Sequence, residues 1–477
     1  MIRTSKSATL LAALLALTSL ASPAVAQSPA ARGRADFSRF VALGDSYGAG
    51  LTNGSLVFTH QRYSPPAVIA RQAGAIDFQQ PLVSDPGIGP ELEVTNILSF
   101  PPRIVPKSPS NGSPLNLNLP RPYNNLSIPG ARVNDLLTLT GREPANSTPR
   151  VFGQFILRGL GGTAIDQALA LNPTFIYLWI GGNDALGAVL SGTPAALTPL
   201  ADFSRDYNLV LDKLTAGAPN AGIVIGTLPA IPIATVPVAG SVAPFLINPA
   251  TRLPVLGPDG KPIYYLADLG GGQFGQLPVG SLVLLTAATK LGSGFGIPSA
   301  LAPLFPSLPD VGKPLSDNDV LTPAEQAAIE ARVGEYNNVI TAAAAARNIP
   351  VADVSGLFKR IQAGASYGGI PIDSSYLTGG FYSYDGFHLT DIGYTLFANE
   401  FIRAINRGYR TRIAFASISE FFANNAPEVT ADLKVYPAIP LSISAEAVEQ
   451  IRSFAARVQE VALAPEAEPE PVSGNDQ

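Results

Sequence analysis

Four short runs of almost unbroken apolar residues, 40–43, 175–180, 223–226 and 349–353, set the tightest limit on how this 477-residue chain can fold. A β-strand covered on both faces has no solvent side, so it reads as continuous apolar sequence rather than as alternation. Helical patterns lie between the runs, and that rhythm predicts an α/β domain around a mostly parallel sheet. Thr322-Pro323-Ala324-Glu325 reads as a capping box with proline in the first turn. The helix it opens carries Ile329, Val333, Tyr336 and Ile340 on one stripe. A second helix is expected from near Thr390 to about Asn406, with Tyr394, Phe397, Phe401 and Ile405 on its buried face and Gly408 placed to end it.

Composition narrows the function classes. Hydrophobic residues make up 46% and charged residues 14%, against a usual charged share of about 25%, which excludes a disordered chain and a nucleic-acid binder. The 45 glycines and 44 prolines predict long, ordered, turn-rich connections. The chain has no cysteine, so disulfides, thiolate metal sites and cysteine nucleophiles are excluded. His60 and His388 are its only histidines, too few for a multi-histidine metal site. No metal and no cofactor are expected.

The length fits either several domains or one domain enlarged by insertions. Residues 1–26 read as a signal peptide: Arg3 and Lys6, an apolar stretch over 8–21, and then Ala24-Val25-Ala26, with cleavage expected after Ala26. The apolar stretch is shorter than the ~20 residues a membrane-spanning helix needs. The mature chain is therefore expected to be secreted or periplasmic, without a transmembrane span, and losing Arg3 and Lys6 moves its formal net charge from −5 to −7. Residues 27–463 form the expected folded domain, and 464–477, alternating Pro and Glu, are expected to be a disordered acidic tail.

Two stretches break the α/β rhythm. Residues 52–125, rich in Pro, Asn, Ser and Gly, read as a long irregular excursion after the first strand. Residues 214–309 hold only five charged side chains, Arg252, Asp259, Lys261, Asp268 and Lys290. Part of that segment is core strand; the remainder, an insertion over about 235–320, includes a hairpin expected to turn at Asp259-Gly260.

The chemistry gathers where strands end. Gly44-Asp45-Ser46-Tyr47-Gly48-Ala49-Gly50 follows the first strand, the place where open α/β sheets bind ligands. Ser46 stands at the turn, where its hydroxyl can project beside backbone N–H groups; a serine that merely caps a helix is the plainer alternative. Near the other end of the chain, Asp385-Gly386-Phe387-His388 puts a carboxylate three residues before an imidazole, close enough in a tight loop to orient it as the base for a serine nucleophile. Asp45 and Asp184 are expected to stabilise turns, Asp391 to offset a helix dipole, and His60 to be exposed.

With these residues in view, the sequence resembles the SGNH hydrolases, also called GDSL esterases and lipases, in four ordered blocks. They are Gly44-Asp45-Ser46, with Tyr47 where many members have leucine; Ser127-Ile128-Pro129-Gly130-Ala131-Arg132; Ile180-Gly181-Gly182-Asn183-Asp184; and Asp385-Gly386-Phe387-His388. The resemblance implies a three-layer, flavodoxin-like fold and a catalytic triad of Ser46, His388 and Asp385. It also implies an oxyanion hole built from the N–H groups of Ser46 and Gly130 and the side-chain amide of Asn183. Its implied activity is ester hydrolysis through an acyl-enzyme. If part of the weakly charged insertion caps the site, its apolar side chains suggest fatty acyl esters as substrates; the alternative is that it packs on the protein itself or makes an oligomer interface. Alternatives are a deacetylase of polysaccharide or cell-wall sugars, against which a single tryptophan, Trp179, argues, and a non-catalytic binding protein on the same fold.

Overall fold

A computed structural model describes residues 33–89, 91–96, 103–107, 112–230, 245–248, 251, 253–270, 272–284, 287–375 and 377–422. The expected signal peptide and acidic tail lie outside the described residues. The four apolar runs form one parallel sheet. β1 (Phe40–Gly44) pairs with β2 (Phe175–Trp179), β2 with β3 (Gly222–Gly226), and β3 with β4 (Val351–Ala352). β1, β2 and β3 are buried along their whole length, as unbroken apolar sequence requires.

A fifth extended segment lies beside β1. The Asn124 carbonyl accepts from Ala42 N at 2.8 Å, Leu126 N donates to Ala42 O at 2.8 Å, and Ile128 N donates to Gly44 O at 2.9 Å, with Asn125 bridged in parallel to Ala42. Numbered in chain order with this segment as the second, the five lie 2-1-3-4-5, the flavodoxin-like arrangement, whose ligand crevice opens at the carboxyl ends of the first and third, here β1 and β2. The fold is therefore a mixed α/β fold around a parallel sheet, as the SGNH resemblance implies, with additional insertions.

Helices cover both faces. Those that bear on the site are α1 (Ser46–Ala49), α2 (Pro65–Ala73), α3 (Ala164–Ala170), α4 (Gly182–Leu190), α5 (Leu200–Gly217), α6 (Pro323–Ala345) and α7 (Asp391–Tyr409). The period-2 ladder of β2 meets the i, i+4 ladder of α7: Trp179 packs on Phe397, Tyr177 on Phe401 and Phe175 on Tyr409, with ring centroids 5.1, 4.6 and 5.2 Å apart. α6 begins at the predicted capping box, and Ile329, Val333, Tyr336 and Ile340 are all buried. Its Tyr336 ring stacks 4.0 Å from Phe203 of α5.

Two sequence expectations are corrected. α7 does not stop at Gly408; it ends at Tyr409, and Arg410 takes the left-handed conformation. Gly408 is small because Pro350 lies against it, 2.7 Å from where a Cβ would sit. The excursion over 52–125 is not irregular throughout, since it contains α2, capped by Ser64 with proline at its first position and packed against α7. In the insertion, the expected turn at Asp259-Gly260 is present, closed by Gly257 N to Lys261 O at 2.8 Å. The described part of the insertion packs largely on itself, in two small clusters around Ala267, Leu315 and Val320 and around Leu246 and Ile297.

The edge segment is held in place by a buried arginine. Arg158 ends the helix Thr148–Leu157 at φ 54° and donates to the carbonyls of Leu117 and Leu119, each at 2.7 Å, and of Arg121, with its guanidinium 4.0 Å from the Tyr123 ring centroid. Carbonyl dipoles and an aromatic face are its partners here, and they fix the loop that leads into 124–128. Arg158→Met should lower the free energy of unfolding by about 3 kcal/mol in urea titration, because it strands buried carbonyls. A change below about 1 kcal/mol would show that the loop is held by other contacts.

Candidate active site

β1 ends in a tight turn that sets Ser46 at the first position of α1. Asp45 caps the turn, accepting from Tyr47 N at 3.0 Å, and Gly50 closes it in the left-handed conformation. A backbone N–H in a first helical turn has no acceptor within the helix, so that of Ser46 is left for a ligand. The Ser46 side chain lines a cleft with Asp45, Tyr47, Trp179, Gly182, Asn183, Ala185, Leu186, Leu228, Pro229, Val333 and Phe387. Most of this lining is apolar.

The edge segment and β2 bring the second and third motifs to the same end of the sheet. Gly130 has φ 80°, and a Cβ there would sit 3.0 Å from Thr148 Cγ2, so only glycine fits without strain. Asn183 lies in the first turn of α4 and donates through Nδ2 to Ala131 O at 2.9 Å. That contact uses one of its two amide hydrogens and ties it to the residue after Gly130. Asp184 accepts from Val133 N at 3.0 Å, so both Asp45 and Asp184 stabilise turns as expected. Burial pushes the Asp45 carboxyl up to about 8 and that of Asp184 up to about 6.

His388 and Asp385 meet directly, with Nδ1 2.9 Å from Asp385 Oδ2. Burial alone would raise the Asp385 carboxyl. Electrostatic attraction and a hydrogen bond from the His388 ring, with the backbone N–H groups of His388 and Phe387, outweigh it and hold the carboxyl below its ordinary range. A carboxylate on Nδ1 places the ring proton there and turns the lone pair to Nε2, which is buried without a partner among the described residues. Ser46 and His388 are linked through their neighbours. Tyr47 donates to Phe387 O at 2.5 Å, its ring lies 5.8 Å from the imidazole, and Phe387 lines the Ser46 cleft. The Ser46 hydroxyl and Nε2 do not hydrogen-bond each other, a looseness common in sites without substrate. Tyr47 stacks on Trp179 at 5.0 Å and packs on Tyr394 and Phe397, so its position in place of leucine adds a hydrogen bond to a hydrophobic support.

Comparison with known proteins bears on the class of chemistry. A model of the GDSL-like Lipase/Acylhydrolase family matches residues 40–401, from the first residue of β1 into α7. The chain belongs to this family. It is accordingly a hydrolase of the kind that acts on esters. Similar solved structures include an extracellular lipase from Streptomyces rimosus, 16% identical over 76% of this chain and 98% of that one, with a TM-score of 0.33. Another is phospholipase A1 from Streptomyces albidoflavus NA297, 16% identical over 76% of this chain and 95% of that one, with a TM-score of 0.30. No curated protein matches the chain. Among the described residues, no helix is long and apolar enough to cross a membrane.

In this GDSL-family chain His60 is not the exposed residue its sequence context suggests. Its Nε2 lies 2.8 Å from Glu91 and its Nδ1 2.9 Å from Asp391, and Lys107 joins Glu91 at 2.6 Å. Asp391 thus pairs with a cation besides standing in the first turn of α7. Burial alone would lower the His60 imidazolium, but hydrogen bonds and charge from Asp391 and Glu91 outweigh it and hold the group at about 10. Burial likewise would raise Glu91, and His60 and Lys107 instead bring it down to about 2. A histidine raised this far stabilises the fold fully below its ordinary value of 6.5, and that contribution is lost as the pH climbs towards about 10. The stability gap between wild type and His60→Gln, measured by denaturant titration across pH, should be widest below 6.5 and shrink up to about 10. A gap that widens with rising pH would mean that the ring is neutral in the fold.

Proposed function

We propose that this chain is a secreted serine esterase that hydrolyses carboxylic esters with apolar acyl chains through an acyl-enzyme on Ser46. The observation that carries the reading is the Asp385–His388 pair: a buried carboxylate on Nδ1 leaves Nε2 as a proton acceptor in the loop whose Phe387 walls the Ser46 cleft. His388 would take the Ser46 proton during attack, return it to the departing alcohol, and then activate water against the acyl-enzyme. The Ser46 and Gly130 N–H groups and the free amide hydrogen of Asn183 would receive the negative charge that develops on the carbonyl oxygen. Secretion rests on the charged, apolar and small-residue pattern of residues 1–26.

The acyl preference rests on the cleft wall. Ala185 and Leu186 of α4, Val333 of α6, Leu228, Pro229 and Phe387 give it an apolar lining. Among the described residues, none from 245–320 lines this cleft, and those that do belong to the core helices, the strand ends, the loop of Phe387 and the stretch just after β3. Trp179 is buried under Tyr47 and donates to Thr227 O at 3.1 Å, which argues against its indole stacking extended sugars.

Ser46→Ala and His388→Ala should each reduce kcat by roughly 10⁴-fold or more, with the double variant no worse than either alone, because the two act as a unit. Asn183→Ala should lower kcat by about 10²–10³ with little change in KM. Labelling by a fluorophosphonate probe should map to Ser46 and vanish in Ser46→Ala; an unlabelled wild type would point to a non-catalytic binding protein.

The acyl reading has its own test in a p-nitrophenyl ester series. Each methylene that enters the cleft adds about 0.8 kcal/mol of binding, so octanoate should be cleaved with higher kcat/KM than acetate. Preference for acetate would overturn the acyl groove in favour of deacetylation.

A further inference from the structure

Just after α1 the chain makes a two-residue hairpin. Thr52 and Ser55 exchange both backbone hydrogen bonds, at 3.0 and 2.9 Å, and the tip residues Asn53 and Gly54 have φ 52° and 75°. That conformation is the one an Asn-Gly pair favours. The tip is turned onto the loop that carries Asp385 and His388. Gly54 N donates to Asp385 Oδ2 at 2.8 Å, the same oxygen that holds His388 Nδ1. Asn53 N donates at 3.1 Å to Ser383 Oγ, and that hydroxyl donates onward to Asp385 Oδ1 at 3.1 Å.

The Asn53 side chain works in two directions. Its Oδ1 accepts from Tyr384 N at 3.0 Å, and its Nδ2 donates to Glu91 Oε1 at 3.2 Å. Glu91 is fixed in turn by His60 and Lys107, and His60 reaches Asp391, three residues beyond His388. The path from Asp391 through His60, Glu91 and Asn53 therefore returns to the 383–388 loop and closes a ring around it.

We propose that Asn53 is a positioning residue for the reaction at Ser46: its side chain, anchored by the Glu91–His60 pair, sets the 383–388 loop so that Asp385 presents His388 at the productive angle. The proposal rests on the triad reading above. It assigns Asn53 no contact with substrate, only an action through Asp385, and a small displacement of an orienting group is enough to slow a reaction strongly.

Asn53→Gly isolates this role, because glycine keeps the positive-φ turn and both tip N–H groups and removes only Oδ1 and Nδ2. The expected result is a kcat, per active site titrated to completion with the fluorophosphonate probe, about 10-fold lower with KM within about twofold; lost folded enzyme lowers the titrated fraction and leaves the kcat of the remainder unchanged. In an Asp385→Ala background the same change should cost less than about twofold more, because the group it acts through is gone. An equal loss in both backgrounds, or an unchanged kcat in the single variant, would overturn the proposal. If Asp385→Ala itself proves harmless, the triad reading fails instead, and the two failures are thereby separated.

Asn53→Asp supplies the second variant should Asn53→Gly not fold. It tolerates the same turn and keeps an acceptor for Tyr384 N, but it turns a carboxylate oxygen on Glu91 where Nδ2 donated, so it breaks the anchor alone. It should lower kcat per titrated active site by about as much as Asn53→Gly. A kcat at the wild-type level would overturn the anchoring by Glu91.

Discussion

The carboxylate of Asp385 is the point on which the architecture converges. It is buried and accepts from Ser383 Oγ, Phe387 N, His388 N, Gly54 N and the His388 ring. A buried anion is tolerable only when its lone pairs are satisfied this fully. Meeting that demand requires chain from two places more than 300 residues apart in sequence: the turn after α1 and the loop before α7. The parallel sheet makes this possible, because every strand delivers its following loop to the same end. α7, pinned to β2 by three aromatic contacts, then fixes where the last of those loops begins.

Much of this was legible in the sequence. Each of the four apolar runs became a strand of the sheet, since burial on both faces leaves no alternative to continuous apolar residues. The capping box at Thr322 and the aromatic stripe of α7 reappear where their spacing put them, because both signals are local. The Asp385–His388 contact was legible for the same reason, being a pair three residues apart in a tight loop. Gly130 and Asn183 came from the family resemblance, and Asn183 donates to Ala131 O, the carbonyl of the residue after Gly130.

What escaped was either weakly signalled or non-local. The edge strand over 124–128 alternates Asn125, Leu126, Ser127 and Ile128, a period-2 pattern too short to stand out from its surroundings. α2 announced itself by Ser64 before two prolines, and the hairpin by Asn53-Gly54, yet both sat inside a stretch whose composition reads as loop. His60 gave no signal at all. Its partners Glu91 and Asp391 are 31 and 331 residues away, and nothing near position 60 distinguishes a histidine held between two carboxylates from one in water.

The ladder of Leu282–Val283 against Val320–Leu321 has a consequence for how the molecule opens. Leu282 and Leu321 face the main core, while Val283 and Val320 belong to the separate cluster of the insertion, so this ladder is one place where the two meet. Cooperative units of a protein follow contiguous packing, so separate clusters open at different free energies. Amide exchange in the insertion is therefore expected to run ahead of that in the sheet, with sub-global opening exposing its small clusters while the strands stay protected.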